Sequence, residues 1–320
     1  MKTSLRLHLA ALLLATFTCL PASAQEGRSS HIDSEGNELI HHRVNDQGQA
    51  YSGYAPTVGS TSALSRSSQL TYHGGSVFST PSVYLIWYGN WAQSNGTDTA
   101  AGQQIIRDFF SAIGGSPYFL INSHYVGSSN SITGSVTWTG KEASPGYSHG
   151  TVLSDANIAT LVSDAISAGT LPKDTNGLYF VLTSSDVNES SGFCTQYCGW
   201  HTHGTISSSN LRYAFIGNAA RCIASCAAQS TGPNGNAGVD GMVSVLAHEL
   251  EEATTDADLN AWYARNGYEN GDDCAWTFGT TYKAANGAYA NMKLGTRDFL
   301  IQRNVDFRST GGQYCDLSHK

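Results

Sequence analysis

Charge is scarce in this sequence. Only 13% of its 320 residues are Asp, Glu, Lys or Arg, and 17 basic residues face 25 acidic ones, a formal net charge of −8. Nucleic acids and anionic bilayers are bound through clustered Lys and Arg, so this shortage argues against both as partners. Long apolar runs are missing as well. No stretch reaches the roughly 18 uninterrupted apolar residues that a membrane-spanning helix needs. Neither a P-loop nor a dinucleotide fingerprint occurs, and no internal repeat divides the chain.

The first residues have the three-part plan of a secretory signal peptide. Lys2 and Arg6 precede an apolar run from Leu7 to Leu20, and Pro21-Ala22-Ser23-Ala24 supplies a small-x-small site with cleavage expected after Ala24. Residues 1–24 hold two of the 17 basic residues and none of the 25 acidic ones, which leaves 15 against 25 and a formal −10. They also hold Cys19, one of seven cysteines. The other six, Cys194, Cys198, Cys222, Cys226, Cys274 and Cys315, form an even set in an exported chain. Three disulfides are the expectation, with the connectivity open. A four-thiolate zinc site from the first four is the alternative.

Residues 25–70 are rich in Ser, Gly, His and Gln without a sustained period, and read as a flexible N-terminal arm or propeptide. Residues 71–320 read as one domain. Val83 to Tyr88 and Leu178 to Thr183 are apolar, β-branched and aromatic runs of buried-strand length; Ser131 to Trp138 and Tyr213 to Ile216 are further strands. Helical spacing appears from Thr97 to Ile113, from Ser154 to about Gly169, and from Gly241 to about Thr255. The order predicts an α/β fold, a mixed sheet flanked by helices, followed by a loop-rich, disulfide-linked C-terminal part.

The last helix carries the chemistry. In Ala247-His248-Glu249-Leu250-Glu251-Glu252, His248 and Glu252 stand four apart and share a face one turn apart. Imidazole and carboxylate both ligate zinc. Glu249 follows the first ligand, where the zinc-protease motif H-E-x-x-H keeps its general base, although here the second ligand is Glu rather than His. Solvated charge is the bland reading. Against it, three glutamates within four positions follow the apolar run Met242 to Ala247 in a chain that uses charge sparingly. A buried carboxylate cluster needs a cation or a proton to compensate it.

A zinc site needs a further protein ligand. The acidic loop Glu269-Asn270-Gly271-Asp272-Asp273-Cys274 offers Glu269 and Asp272, preferred over Asp256 and Asp258. Such an oxygen-rich loop also suits calcium, but its spacing is not that of an EF-hand, so calcium is the weaker choice. His201 and His203, in Trp200-His201-Thr202-His203-Gly204, are further candidates. They lie on an extended segment, and only one of them is expected to face a given cleft.

Several blocks together resemble the EXORDIUM-like, phosphate-induced protein family over about Tyr72 to Cys315. They are Tyr72-His73-Gly74-Gly75, Val83 to Gly89, Gly192-Phe193-Cys194 through Cys198-Gly199-Trp200-His201, Val239-Asp240-Gly241-Met242 through Leu250 with Glu252, Asn260-Ala261-Trp262-Tyr263, and the spacing of Glu269, Asp272 and Cys274. His201-Thr202-His203-Gly204 is longer than the usual His-Gly ending, and Asp256-Ala257 stands where Asn-Pro or Asp-Pro is common. The resemblance implies an extracellular or cell-wall-associated protein linked in plants to growth, with no established reaction.

The residues thus predict a secreted protein whose active helix is zincin-like by analogy. His248, Glu252 and an acid of the 269–272 loop would hold zinc, which polarises a carbonyl and acidifies a water while Glu249 takes the proton. The substrate would be an extracellular peptide, glycan or other cell-wall component. The rival expectation is a non-enzymatic growth or signalling protein with a structural metal site or a proton-sharing cluster. Glycoside hydrolysis by Glu249 and Asp272 is a third, requiring them about 5–10 Å apart across an open cleft.

Overall fold

Val83 to Tyr88 and Leu178 to Thr183 are so uniformly apolar because both faces of their sheet are covered. The computed structural model describes residues 30–32, 38–43, 62–65, 69–309 and 311–319. The expected leader, residues 1–24, lies outside them. Seven strands form the main sheet: β1 (Ser30–Ile32), β2 (Glu38–Arg43), β3 (Ser82–Tyr88), β4 (Thr137–Gly146), β5 (Gly177–Thr183), β6 (Tyr197–Ile206) and β7 (Ser209–Ile216), in the spatial order β1-β2-β6-β7-β5-β3-β4. β3 pairs parallel with β4 and β5, and β5 with β7. β7, β6, β2 and β1 then alternate antiparallel. Every residue of β5 is buried, as a strand inside a two-sided parallel region requires.

Three helices surround the sheet. α1 (Ala100–Ile113) is capped by the Thr99 hydroxyl, which accepts from the Gly102 N–H, and buries Ile105, Ile106, Phe109, Phe110 and Ile113. α2 (Asp155–Ser167) opens with a capping box between Ser154 and Asn157. The crossovers β3-α1-β4 and β4-α2-β5 run in opposite directions along the sheet, so the right-handed rule puts α1 and α2 on opposite faces. α3 (Ala237–Thr255) packs against α1, β6 and β7.

Two element boundaries depart from expectation. The strand expected over Ser131–Trp138 lies instead at Thr137–Gly146, because Gly134 takes φ +75° and interrupts the extended chain. α3 begins four residues before Gly241, capped by the Asn236 side chain, which accepts from the Val239 N–H. Gly241 disguises that first turn for a packing reason: a Cβ there would stand 2.8 Å from the Ala219 Cβ and 3.0 Å from the Cys226 carbonyl oxygen.

The molecule is a mixed α/β domain, rich in sheet, with three disulfides. Cys194–Cys222 and Cys198–Cys226 tie the entrance of β6 to the segment ahead of α3, so the four-thiolate alternative falls away. Cys274–Cys315 joins the acidic loop to the C-terminal segment. That segment consists of loops and short antiparallel ladders, among them Asn304–Phe307 with Gln313–Asp316. Among the described residues no helix is long and apolar enough to cross a membrane.

Candidate metal centre

α3 is buried along its whole length except its first residue, so its acidic side chains point into protein rather than water. His248 and Glu252 sit one turn apart, with 2.9 Å between His248 Nε2 and Glu252 Oε1. The second carboxylate oxygen, Oε2, lies 3.7 Å from His201 Nε2 on β6. His201 in turn stands 3.2 Å from Glu269 Oε2. Asp272 Oδ1 approaches His248 Nε2 to 3.7 Å, and the Asp272 N–H donates to Glu252 Oε1 at 3.0 Å.

The acidic loop is pressed onto the helix. A Cβ on Gly271 would fall 2.8 Å from the His248 ring and 2.9 Å from Glu252 Oε1, so only glycine lets the backbone pass there. The Asn270 carbonyl accepts from the Val305 N–H, and Glu269 N–H donates to Asp272 Oδ2. The structure therefore brings His248, Glu249, Glu252, Glu269, Asp272 and His201 together from a helix, a loop and a strand. His201, Glu249 and Glu252 offer ligand atoms within 4.8 Å of one another, as do His248, Glu252 and Asp272. Glu252 belongs to both sets.

His203 and Asp256 lie apart from this group. Two residues along a strand point to the same face, so the expectation that only one histidine could face a given cleft rested on the wrong period. What separates them is the strand rise, about 6.6 Å over two residues. That carries His203 outward to Asn210 and to within 3.7 Å of Asp258. Asp258 itself pairs with Arg212 through both oxygens at 2.8 Å. Asp256 ends α3, and its carboxylate accepts from the Ala261 N–H.

Glu249, Glu252 and Glu269 are each fully buried, His201 and His248 are each 1% exposed, and the Asp272 side chain reaches solvent at 12%. Burial pushes the Glu252 carboxyl well above its ordinary range, and the neighbouring Asp272, Glu269 and Glu249 push it further. The group therefore takes up a proton or a cation. Tetrahedral zinc with bonds of about 2.0–2.2 Å sets its ligand atoms roughly 3.3–3.6 Å apart. The four histidine–carboxylate separations here, 2.9, 3.2, 3.7 and 3.7 Å, bracket that spacing.

Glu251 belongs to a different environment. Its Oε2 accepts from Asn304 Nδ2 at 2.5 Å, and burial holds its carboxyl well above the ordinary range. Tyr118 and Tyr125 beside it are pushed up in the same way. Asn304 and Tyr118 gave no signal in the sequence, since nothing local marks a residue that meets a helix from far along the chain.

Residues 70–297 match the conserved region of phosphate-induced protein 1. The chain is 32% identical over 276 residues to protein EXORDIUM-like 5 of Arabidopsis thaliana, covering 73% of this chain and 74% of that protein. It is 33% identical over 258 residues to EXORDIUM-like 3 of the same plant, covering 71% and 73%. Protein PHOSPHATE-INDUCED 1 of Nicotiana tabacum is 29% identical over 226 residues, covering 61% and 67%. No solved structure matches.

Proposed function

The chain belongs to the EXORDIUM-like, phosphate-induced protein family, and from that premise we propose that it is a secreted zinc-dependent hydrolase acting on an extracellular peptide or polymer. The observation that carries the reading is Glu252, fully buried, with one oxygen toward each of two buried imidazoles. His248, Glu252 and Asp272 would hold the ion, with His201 beside the other oxygen of Glu252 and Glu269 beside His201. Imidazoles among carboxylates suit zinc better than calcium, which takes oxygen ligands. Bound there, zinc would act as a Lewis acid on a substrate carbonyl. Glu249, beside these ligands, would take the proton of the attacking water. Export fits the N-terminal signal sequence, and the three disulfides suit an oxidising compartment. The substrates to try first are extracellular peptides and cell-wall glycans.

The test is metal content of the purified protein combined with turnover of peptide and polysaccharide panels. One zinc per chain, with cleavage lost in Glu249→Gln while zinc stays, supports the proposal. A metal-free protein whose behaviour is unchanged by His248→Ala overturns it. A second reading, a structural cation in a non-enzymatic growth or signalling protein, is favoured by the burial of every ligand except the 12% of Asp272. In that case Glu249→Gln changes no activity, while chelation lowers the melting temperature.

A further inference from the structure

Away from the buried cluster, three chain segments meet at the surface. His124 ends the short 3₁₀ turn Phe119–His124, Asp306 lies in Asn304–Phe307, and His319 sits beyond Gln313–Asp316. Both histidines turn Nδ1 toward the same carboxylate oxygen: His319 at 3.1 Å and His124 at 3.7 Å from Asp306 Oδ1. Their rings are perpendicular, with centroids 4.1 Å apart. Asp306 is fully buried, whereas His124 and His319 are 30% and 34% exposed, so the group has a solvent-facing side.

Hydrogen bonding explains only part of this arrangement: His319 Nδ1 is within hydrogen-bond reach of Asp306 Oδ1, whereas His124 Nδ1 is not. His124 Nδ1 is itself shielded from solvent and has no hydrogen-bond partner among the described residues. At 3.7 Å from Asp306 Oδ1 it is too far for a hydrogen bond. The two separations to Asp306, 3.1 and 3.7 Å, again straddle the ligand spacing of a tetrahedral ion.

We propose that His124, Asp306 and His319 form a second metal site, a surface 2-histidine-1-carboxylate position for a divalent transition ion such as zinc, which fastens the C-terminal tail to the domain. Solvent would fill the remaining coordination position. Two imidazoles and one carboxylate select such ions over magnesium or calcium. The tail is already guided there by a backbone bond from the His319 N–H to the Pro117 carbonyl at 2.9 Å. This site shares no residue with the centre on α3, and it stands whether or not that centre holds zinc.

The test uses the full mature chain free of any affinity tag, dialysed against zinc and against cobalt. Zinc stoichiometry, the visible cobalt spectrum and the zinc-dependent shift in melting temperature are recorded for wild type, His319→Ala, His124→Gln and His248→Ala. His319→Ala and His124→Gln should each lose one equivalent of zinc and part of the thermal shift, and match wild type in chelator. His248→Ala should keep that equivalent. Equal stoichiometry and equal thermal shift in wild type and both surface variants overturn the proposal, whatever His248→Ala does.

Discussion

Glu252 Oε1 lies 2.9 Å from His248 Nε2, and both side chains are shut away from water. This contact has two faces. With an ion present, Glu252 is a ligand. Without one, it is a buried acid that holds a proton because burial and three neighbouring carboxyls disfavour its charge. Glu252→Gln should therefore change sign with conditions. In chelator it should raise stability by on the order of 1 kcal/mol, about 2–4 °C in melting temperature for a domain of this size. Zinc affinity should fall at least about ten-fold, since even indirect partners of a ligand cost that much. Denaturation curves with and without zinc check both arms; a variant that is less stable in chelator contradicts the protonated acid.

Glu189 gives an independent pH test. Burial pushes its carboxyl from 4.5 up to about 7, against hydrogen bonds from Tyr197 and Ser191 that favour the charged form. The folded state therefore keeps a proton that the unfolded state releases. Stability from this group is fully present below pH 4.5 and is lost as pH rises to about 7. The full loss is roughly 3 kcal/mol at 1.36 kcal/mol per unit. Asp240, pushed up to about 6 by burial, adds to the same trend. Urea unfolding between pH 4.5 and 8 should show falling stability in wild type and a shallower slope in Glu189→Gln, which should be the more stable at pH 8. Identical slopes would remove Glu189 from the account.

The sequence made legible what is local. β3 and β5 announced themselves as apolar runs, α1 and α2 by helical period, and the His248–Glu252 pair by a spacing of four. The carboxylates of the 269–272 loop were visible as a cluster beside Cys274. The approach of His201 was not, because it depends on the strand pairing of β6. That strand was read only as an extended segment around His201 and His203, for two reasons. Its early part, Cys198-Gly199 through His203, is polar and lacks alternation. Its turn, Ser207-Ser208, carries none of the Asn-Gly or Asp-Gly chemistry of a two-residue hairpin.

That turn yields a stability prediction. Ser207 and Ser208 sit at φ +49° and +64°, joining β6 to β7. Both are left-handed positions where a side chain is unfavourable. Replacing the pair with Asn-Gly should stabilise the protein by about 1–2 kcal/mol, read as a rise in the denaturation midpoint at unchanged slope. The zinc content should stay the same, since the turn lies beyond the end of β6 and away from His201 in mid-strand.

The Cys274–Cys315 bond bears on the centre itself. It closes a separation of 41 residues and anchors the chain just beyond Asp272 and Asp273. Cross-linking such a loop removes about 4 kcal/mol of unfolded-state entropy. Replacing both cysteines with alanine should cost stability of that order. Zinc affinity should fall as well, because Glu269 and Asp272 would no longer be held onto α3, while His248 and Glu252 keep their places through the helix. The pairs Cys194–Cys222 and Cys198–Cys226 lie at the entrance of β6, so removing one of them should cost stability with a much smaller loss of zinc affinity. Comparing the double-alanine variants by denaturation and by zinc titration separates the two effects. If all three bonds prove equivalent in zinc binding, the acidic loop contributes no ligand.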